Sequence, residues 1–161
     1  MADRIVKCRY KYCSRKHESK ELPVSEAINP VPKFYYHKDC YSDNEDVKEI
    51  VRLWTDRIDS SPMLGQLYKT IFKLSYDDAY TTQYLLFALR FCLDHGWNLR
   101  YPAGLSYVAK DRDAQEAWQK QKHLEALRNV SDEMFKVDEA ETPIPEFQYK
   151  GTKRGFNRIL K

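Results

Sequence analysis

Four side chains in this chain have the types and the spacing to hold a metal ion. Cys8 and Cys13 are separated by four residues, His37 and Cys40 by two, and twenty-three residues lie between the pairs. Thiolates and a neutral imidazole are ligands that Zn2+ prefers, and a structural zinc site closes its tetrahedron with four of them. Four protein ligands leave no open position for a water molecule, so the expected ion is structural and not hydrolytic. The simpler account is a set of unrelated buried thiols and a surface histidine. Four cysteines in 161 residues make a two-plus-two arrangement improbable by chance, and the metal reading is preferred. His17, four residues beyond Cys13, is an alternative ligand, ranked below the tighter His37/Cys40 pair. Cys92 falls in an apolar run and reads as core.

A second group carries charge and rings. Arg9, Lys11, Arg15 and Lys16 interleave with Tyr10 and Tyr12, and Lys153, Arg154 and Arg158 crowd the other end of the chain. Cations neutralise phosphates and tyrosine rings stack on bases, so Arg9, Lys11, Tyr12, Arg15 and Lys16 with the three tail cations are the candidate nucleic-acid contacts. A solvated knuckle whose rings pack on a small core is the competing account. Net charge is only +3, but residues 1–20 carry seven Lys/Arg against two Asp/Glu, and residues 150–161 carry five against none. The segment between is acidic. Such asymmetry points to a polyanionic partner, with DNA favoured. The alternative partner is a host protein complex, met through the acidic middle and the apolar Phe156, Ile159 and Leu160.

Catalysis has little support. No glycine-rich phosphate loop, Gly-x-Ser-x-Gly elbow or His-Glu-x-x-His motif is present. Asp77/Asp78 and Asp111/Asp113 are carboxylate pairs of a kind that binds Mg2+ in nucleases, but each sits at an expected helix start, where capping explains it. The expectation is no enzyme, no catalytic residue and no small-molecule substrate. No apolar run is long enough to span a bilayer, and no apolar h-region follows Met1, so a cytoplasmic location is expected, where thiols stay reduced.

The elements that must position these residues follow from periodicity. Ile5-Val6 suggests a short strand into the knuckle, and Pro23, Pro30 and Pro32 keep residues 20–33 out of helix. Lys33 to Tyr36 reads as a strand delivering His37 and Cys40. A helix is expected over 42–58, with Val47, Ile50, Val51, Trp54 and Ile58 on one face and acids in the first turn. A second is expected over 62–74 with Pro62 at its first position, and a buried helix over 77–95 ended by Gly96. A short helix or turn at 102–109 and a long exposed helix from Asp111 to about Val137, with a candidate break at Asn129, complete the body. The resulting division is a zinc-binding module over 1–41, a helical domain over 42–137, and an acidic proline-containing linker with a basic tail over 138–161. The fold class expected is mainly α.

The segment Lys33–Tyr41, with Tyr35-Tyr-His-Lys-Asp-Cys-Tyr41, resembles the second half of a LIM-type treble-clef finger, without a second set of zinc ligands. More broadly, residues 1–125 are similar to small zinc-knuckle proteins encoded by phages of Gram-positive bacteria, through that pattern, Ser75-Tyr-Asp-Asp-Ala-Tyr80, Tyr101-Pro-Ala-Gly-Leu-Ser-Tyr-Val108 and Ala114–Trp118. The resemblance implies an N-terminal single-zinc treble-clef-like module followed by a multi-helix domain, acting in the bacterial host cytoplasm. It implies no settled activity.

Overall fold

A computed structural model of the 161-residue chain describes residues 3–136. The chain divides into two compact units, Met1–His123 and Leu124–Lys161. The linker and tail expected over 138–161 lie outside the described residues.

The first unit opens with two small hairpins. Strand β1 (Ile5–Lys7) pairs antiparallel with β2 (Glu21–Pro23), setting Val6 opposite Leu22, and both side chains are buried. Strand β3 (Ile28–Val31) pairs with β4 (Phe34–Tyr36) through a two-residue turn in which Lys33 takes φ 73°. Pro30 is tolerated because a strand in a two-stranded ribbon has an open edge, where a missing N–H costs nothing.

Helix α1 runs Lys38–Arg57, starting four residues before the expected Ser42. His37 holds extended backbone at the helix entry, so the first turn contains Cys40, and the expected module boundary at 41/42 falls inside the helix. Helix α2 (Leu64–Tyr76) starts two residues later than expected, with Pro62 outside it. It ends where Ala79 turns into the left-handed region at φ 59° and the Tyr80 N–H returns to the Leu74 carbonyl. Helix α3 (Thr82–Asp94) is capped by Thr81, whose hydroxyl accepts the Tyr84 N–H, and terminates at Gly96 with φ 80°. Asp77 and Asp78 therefore close α2 and do not open α3, because the threonine three residues before Tyr84 is the residue in capping position. A 3-10 turn at Pro102–Gly104 leads into the short α4 (Leu105–Lys110). Helix α5 (Arg112–Lys136) begins as expected, with Asp111 accepting the Ala114 N–H, and runs through Asn129 without a break.

The molecule is mainly α-helical. The core of the helical body is built from one stripe of each helix: Ile50 and Trp54 of α1, Leu67 and Ile71 of α2, Leu85 and Leu89 of α3, joined by Leu105 and Val108 of α4. Cys92 is fully buried in it, as its apolar neighbourhood predicts. In the second unit, Leu124, Leu127 and Val130 are more than half exposed, in keeping with a largely solvated helix. Among the described residues no helix is long and apolar enough to cross a membrane.

Candidate metal centre and basic groove

The first ligand pair is placed by the β1–β2 ribbon. The Cys8 N–H donates to the Lys20 carbonyl at 2.7 Å, and the chain then tightens into a 3-10 turn at Cys13–Arg15. The second hairpin lies beside it: Cys8 bridges to Tyr35, and the Arg9 N–H donates to the Tyr35 carbonyl at 2.9 Å. Strand β4 then hands His37 and Cys40 to the start of α1. A knuckle, a hairpin and a helix thus converge on one point.

At that point Cys8, Cys13, His37 and Cys40 bring one ligand atom each to within 4.8 Å of the others. The Cys13 Sγ and His37 Nδ1 are 3.4 Å apart. With bonds of about 2.3 Å to sulfur and about 2.1 Å to nitrogen, the edges of such a zinc tetrahedron measure about 3.6–3.8 Å, so the cage closes on an ion with side-chain shifts on the order of 1 Å. Cys13 and Cys40 are fully buried and Cys8 nearly so. Burial, compounded by the neighbouring sulfurs, pushes the Cys13 and Cys40 thiols up, and burial together with the His17 ring pushes His37 down. A neutral imidazole is ready to ligate, whereas the raised Cys13 and Cys40 thiols need a cation before they ionise. A divalent metal displaces those protons. The four residues can bind a metal ion.

His17 is adjacent to this set and not in it. Its ring stacks on His37 at 3.9 Å between centroids, and its Nε2 meets Asp39 Oδ1 at 3.1 Å. It belongs to a neighbouring cluster with Asp39 and Cys40. Burial lifts the Asp39 carboxyl, but the hydrogen bonds from His17 and from the Cys40 backbone outweigh it and leave the pKa below the usual value.

The expected nucleic-acid contacts separate into three groups. Arg9, Lys11, Tyr12 and Arg15 all line a groove of about 860 Å3 whose opposite wall is α2. Lys16 is engaged elsewhere: its Nζ reaches Asp43 Oδ2 at 2.5 Å and Asp39 at 3.9 Å, clamping the knuckle to α1. Lys153, Arg154 and Arg158 lie outside the described residues.

The groove also contains residues that periodicity alone assigned elsewhere. Tyr68 and Phe72 read as part of an apolar stripe, yet they rise beside Lys69 and Lys73 on the groove wall. Tyr10 and Tyr12 pack on α2: Tyr76 donates its hydroxyl to Tyr10 at 2.9 Å, and the Tyr12 ring lies 3.8 Å from Phe72. Burial, with the Tyr10 hydroxyl partly opposing it, pushes the Tyr76 phenol up to about 12. The available signal was the pairing of Tyr68-Lys69 with Phe72-Lys73 four residues on, which sets a column of rings beside a column of cations.

No family model matches the chain, and neither does any curated protein or solved structure. The likeness to phage zinc-knuckle proteins therefore rests on its sequence motifs alone.

Of the carboxylate pairs, Asp111 caps α5 with Asp113 in its first turn, and Asp77 with Asp78 ends α2. His95 closes α3, its Nδ1 2.7 Å from the Phe91 carbonyl.

Proposed function

We propose that Cys8, Cys13, His37 and Cys40 hold a structural Zn2+, and that the module so fixed is a non-enzymatic nucleic-acid-binding unit, with DNA the favoured partner. The donor set of three thiols and one imidazole supports zinc over harder cations, which take oxygen ligands. The observation that carries the binding reading is the convergence of cations on one groove. Arg9, Lys11 and Arg15 from the knuckle, Lys48 from α1 and Lys69 and Lys73 from α2 line it together, and Asp77 is the one carboxylate among the lining residues. A concave surface lined by one sign of charge concentrates a polyanion.

The test is a titration of labelled DNA against salt with the full zinc-loaded chain. Each phosphate contact contributes about −0.9 to the slope of log K against log salt for duplex and about −0.7 for single strands. A steep negative slope is expected, reduced by charge reversal at Arg9 and Lys11. A flat response, or no binding at low salt, removes the reading. Capture of a host protein that survives nuclease treatment would replace it with docking on a protein complex.

A further inference from the structure

We propose that the groove between the knuckle and α2 is a track for single-stranded nucleic acid, with bases stacking at Tyr68 and phosphates lying along the flanking cations. This rests on the nucleic-acid reading above and narrows it to an unpaired strand.

Two features of the groove carry it. The first is an aromatic column. Tyr68, Phe72 and Tyr76 follow one another at four-residue steps on α2, adjacent centroids 6.2 Å apart and ring planes within 14° and 18° of parallel. Tyr12 of the knuckle is laid against the column, 3.8 Å from Phe72 and 5.3 Å from Tyr76. Tyr12 thus covers the middle and far end, while Tyr68 at the near end is 37% exposed. The second feature is the cations' arrangement. Lys69 and Lys73 lie one position along the helix from Tyr68 and Phe72, so they form a rail parallel to the rings, and both are exposed. Arg9, Lys11 and Arg15 line the same groove from the knuckle.

A ring face flanked by two helix lysines, in a groove that three knuckle cations also line, asks for a polyanion that also carries planar apolar groups. An acidic peptide would satisfy the cations and leave Tyr68 in water. Duplex DNA offers phosphates on its outside, but its base faces are consumed by their own stacking. A single strand presents both at once, and every base has a face to offer, so no base sequence needs to be read. The size agrees: about 860 Å3 is on the scale of a pocket for a few nucleotides.

The experiment uses the full zinc-loaded chain and fluorescence anisotropy with labelled oligothymidylate, oligouridylate and a duplex of equal length. Single strand is expected to bind about tenfold or more tighter than duplex, with Tyr68→Ala weakening single-strand binding about tenfold and Tyr68→Trp restoring it. Lys69→Gln with Lys73→Gln should lower affinity for all three and flatten the salt slope by about 0.7 per lost phosphate contact on single strands. Because Tyr68, Lys69 and Lys73 are exposed, the variants should keep the native circular dichroism spectrum. Binding of either oligothymidylate or oligouridylate supports the proposal, and a further strand of oligodeoxyuridylate, which differs from oligouridylate only at the 2′ position, identifies the preferred sugar. Duplex binding equal to or tighter than single strand, or Tyr68→Ala without effect on single strands, overturns the single-strand track and leaves the nucleic-acid reading standing. No binding of any of the three at low salt overturns both.

Discussion

Trp54 is the largest side chain wholly enclosed in the helical core, and its indole Nε1 has no hydrogen-bond partner there. A buried donor left unsatisfied costs about 1–3 kcal/mol, which offsets part of what the ring's apolar surface contributes. Trp54→Phe removes the orphaned donor and keeps one ring. It is expected to shift stability by no more than about 1–2 kcal/mol, whereas Trp54→Ala, which leaves a cavity, should cost about 3–5 kcal/mol. Chemical denaturation of the two variants checks this, and a Phe variant as damaged as the Ala variant would show that the indole fills a space no smaller ring can. Trp54 was legible in sequence as a member of the α1 stripe. Its missing partner was not, because whether a donor is satisfied depends on atoms contributed by other helices.

At the scale of elements, α1 and α3 are joined by a polar seam that sequence periodicity does not reveal. The hydroxyl of buried Thr82 donates between Asp46 Oδ2 at 2.8 Å and Asp43 Oδ1 at 3.1 Å, while Lys16 from the knuckle closes on Asp43. Burial raises the Asp46 pKa above its ordinary value, with the charge of Asp43 adding to it and the Thr82 hydrogen bond opposing. A carboxyl whose folded pKa lies above its unfolded one stabilises the fold fully below the unfolded pKa, and that contribution is lost as pH rises through the folded pKa. At neutral pH, ionised Asp46 is therefore a net cost. Asp46→Asn keeps an oxygen to accept from Thr82 and removes the charge, so its melting temperature should exceed wild type at pH 7. The gain should shrink as pH falls toward the ordinary carboxylate range, and a lower melting temperature at pH 7 would reverse the assignment. Long amphipathic stripes located α1, α2 and α3, although α1 starts four residues before and α3 five residues after the expected position. The ends were less legible, because Cys40 enters α1 through the geometry of His37 and the α2–α3 break turns on a left-handed alanine. The Cys/His cluster was readable because cysteine is rare and its spacing survives in one dimension. The groove was not, since its two walls are about sixty residues apart in the chain.

On the scale of the whole first unit, two separate cores divide the work. The helical body buries apolar side chains from α1 to α4, but the knuckle region buries only Val6, Tyr10 and Leu22 besides its three cysteines. So few side chains are a small return against the entropy of ordering some three dozen residues, and a metal bound as proposed would supply the difference. Contact between the cores runs through Tyr10, Tyr12, Phe72 and Tyr76, and α1 crosses from one to the other, with Cys40 in the smaller core and Val47, Ile50 and Trp54 in the larger. Chelation should therefore unfold the knuckle and its hairpins while the helical body persists. The thiols report this directly. Cys8, Cys13 and Cys40 stand in the candidate metal cage, whereas Cys92 is fully buried in the helical core, where burial pushes its thiol up to about 11 and makes it slow to react. With metal bound, a thiol-reactive dye should label none of the four rapidly. A strong chelator should release three, with most far-UV circular dichroism retained, and denaturant should release the fourth. Zinc added back before labelling should restore protection of the three. If chelation freed all four together, the helical core would depend on the metal as much as the knuckle does. If it freed none, the four ligand atoms would be held by packing alone, and the metal would not be what fixes the groove's knuckle wall against α2.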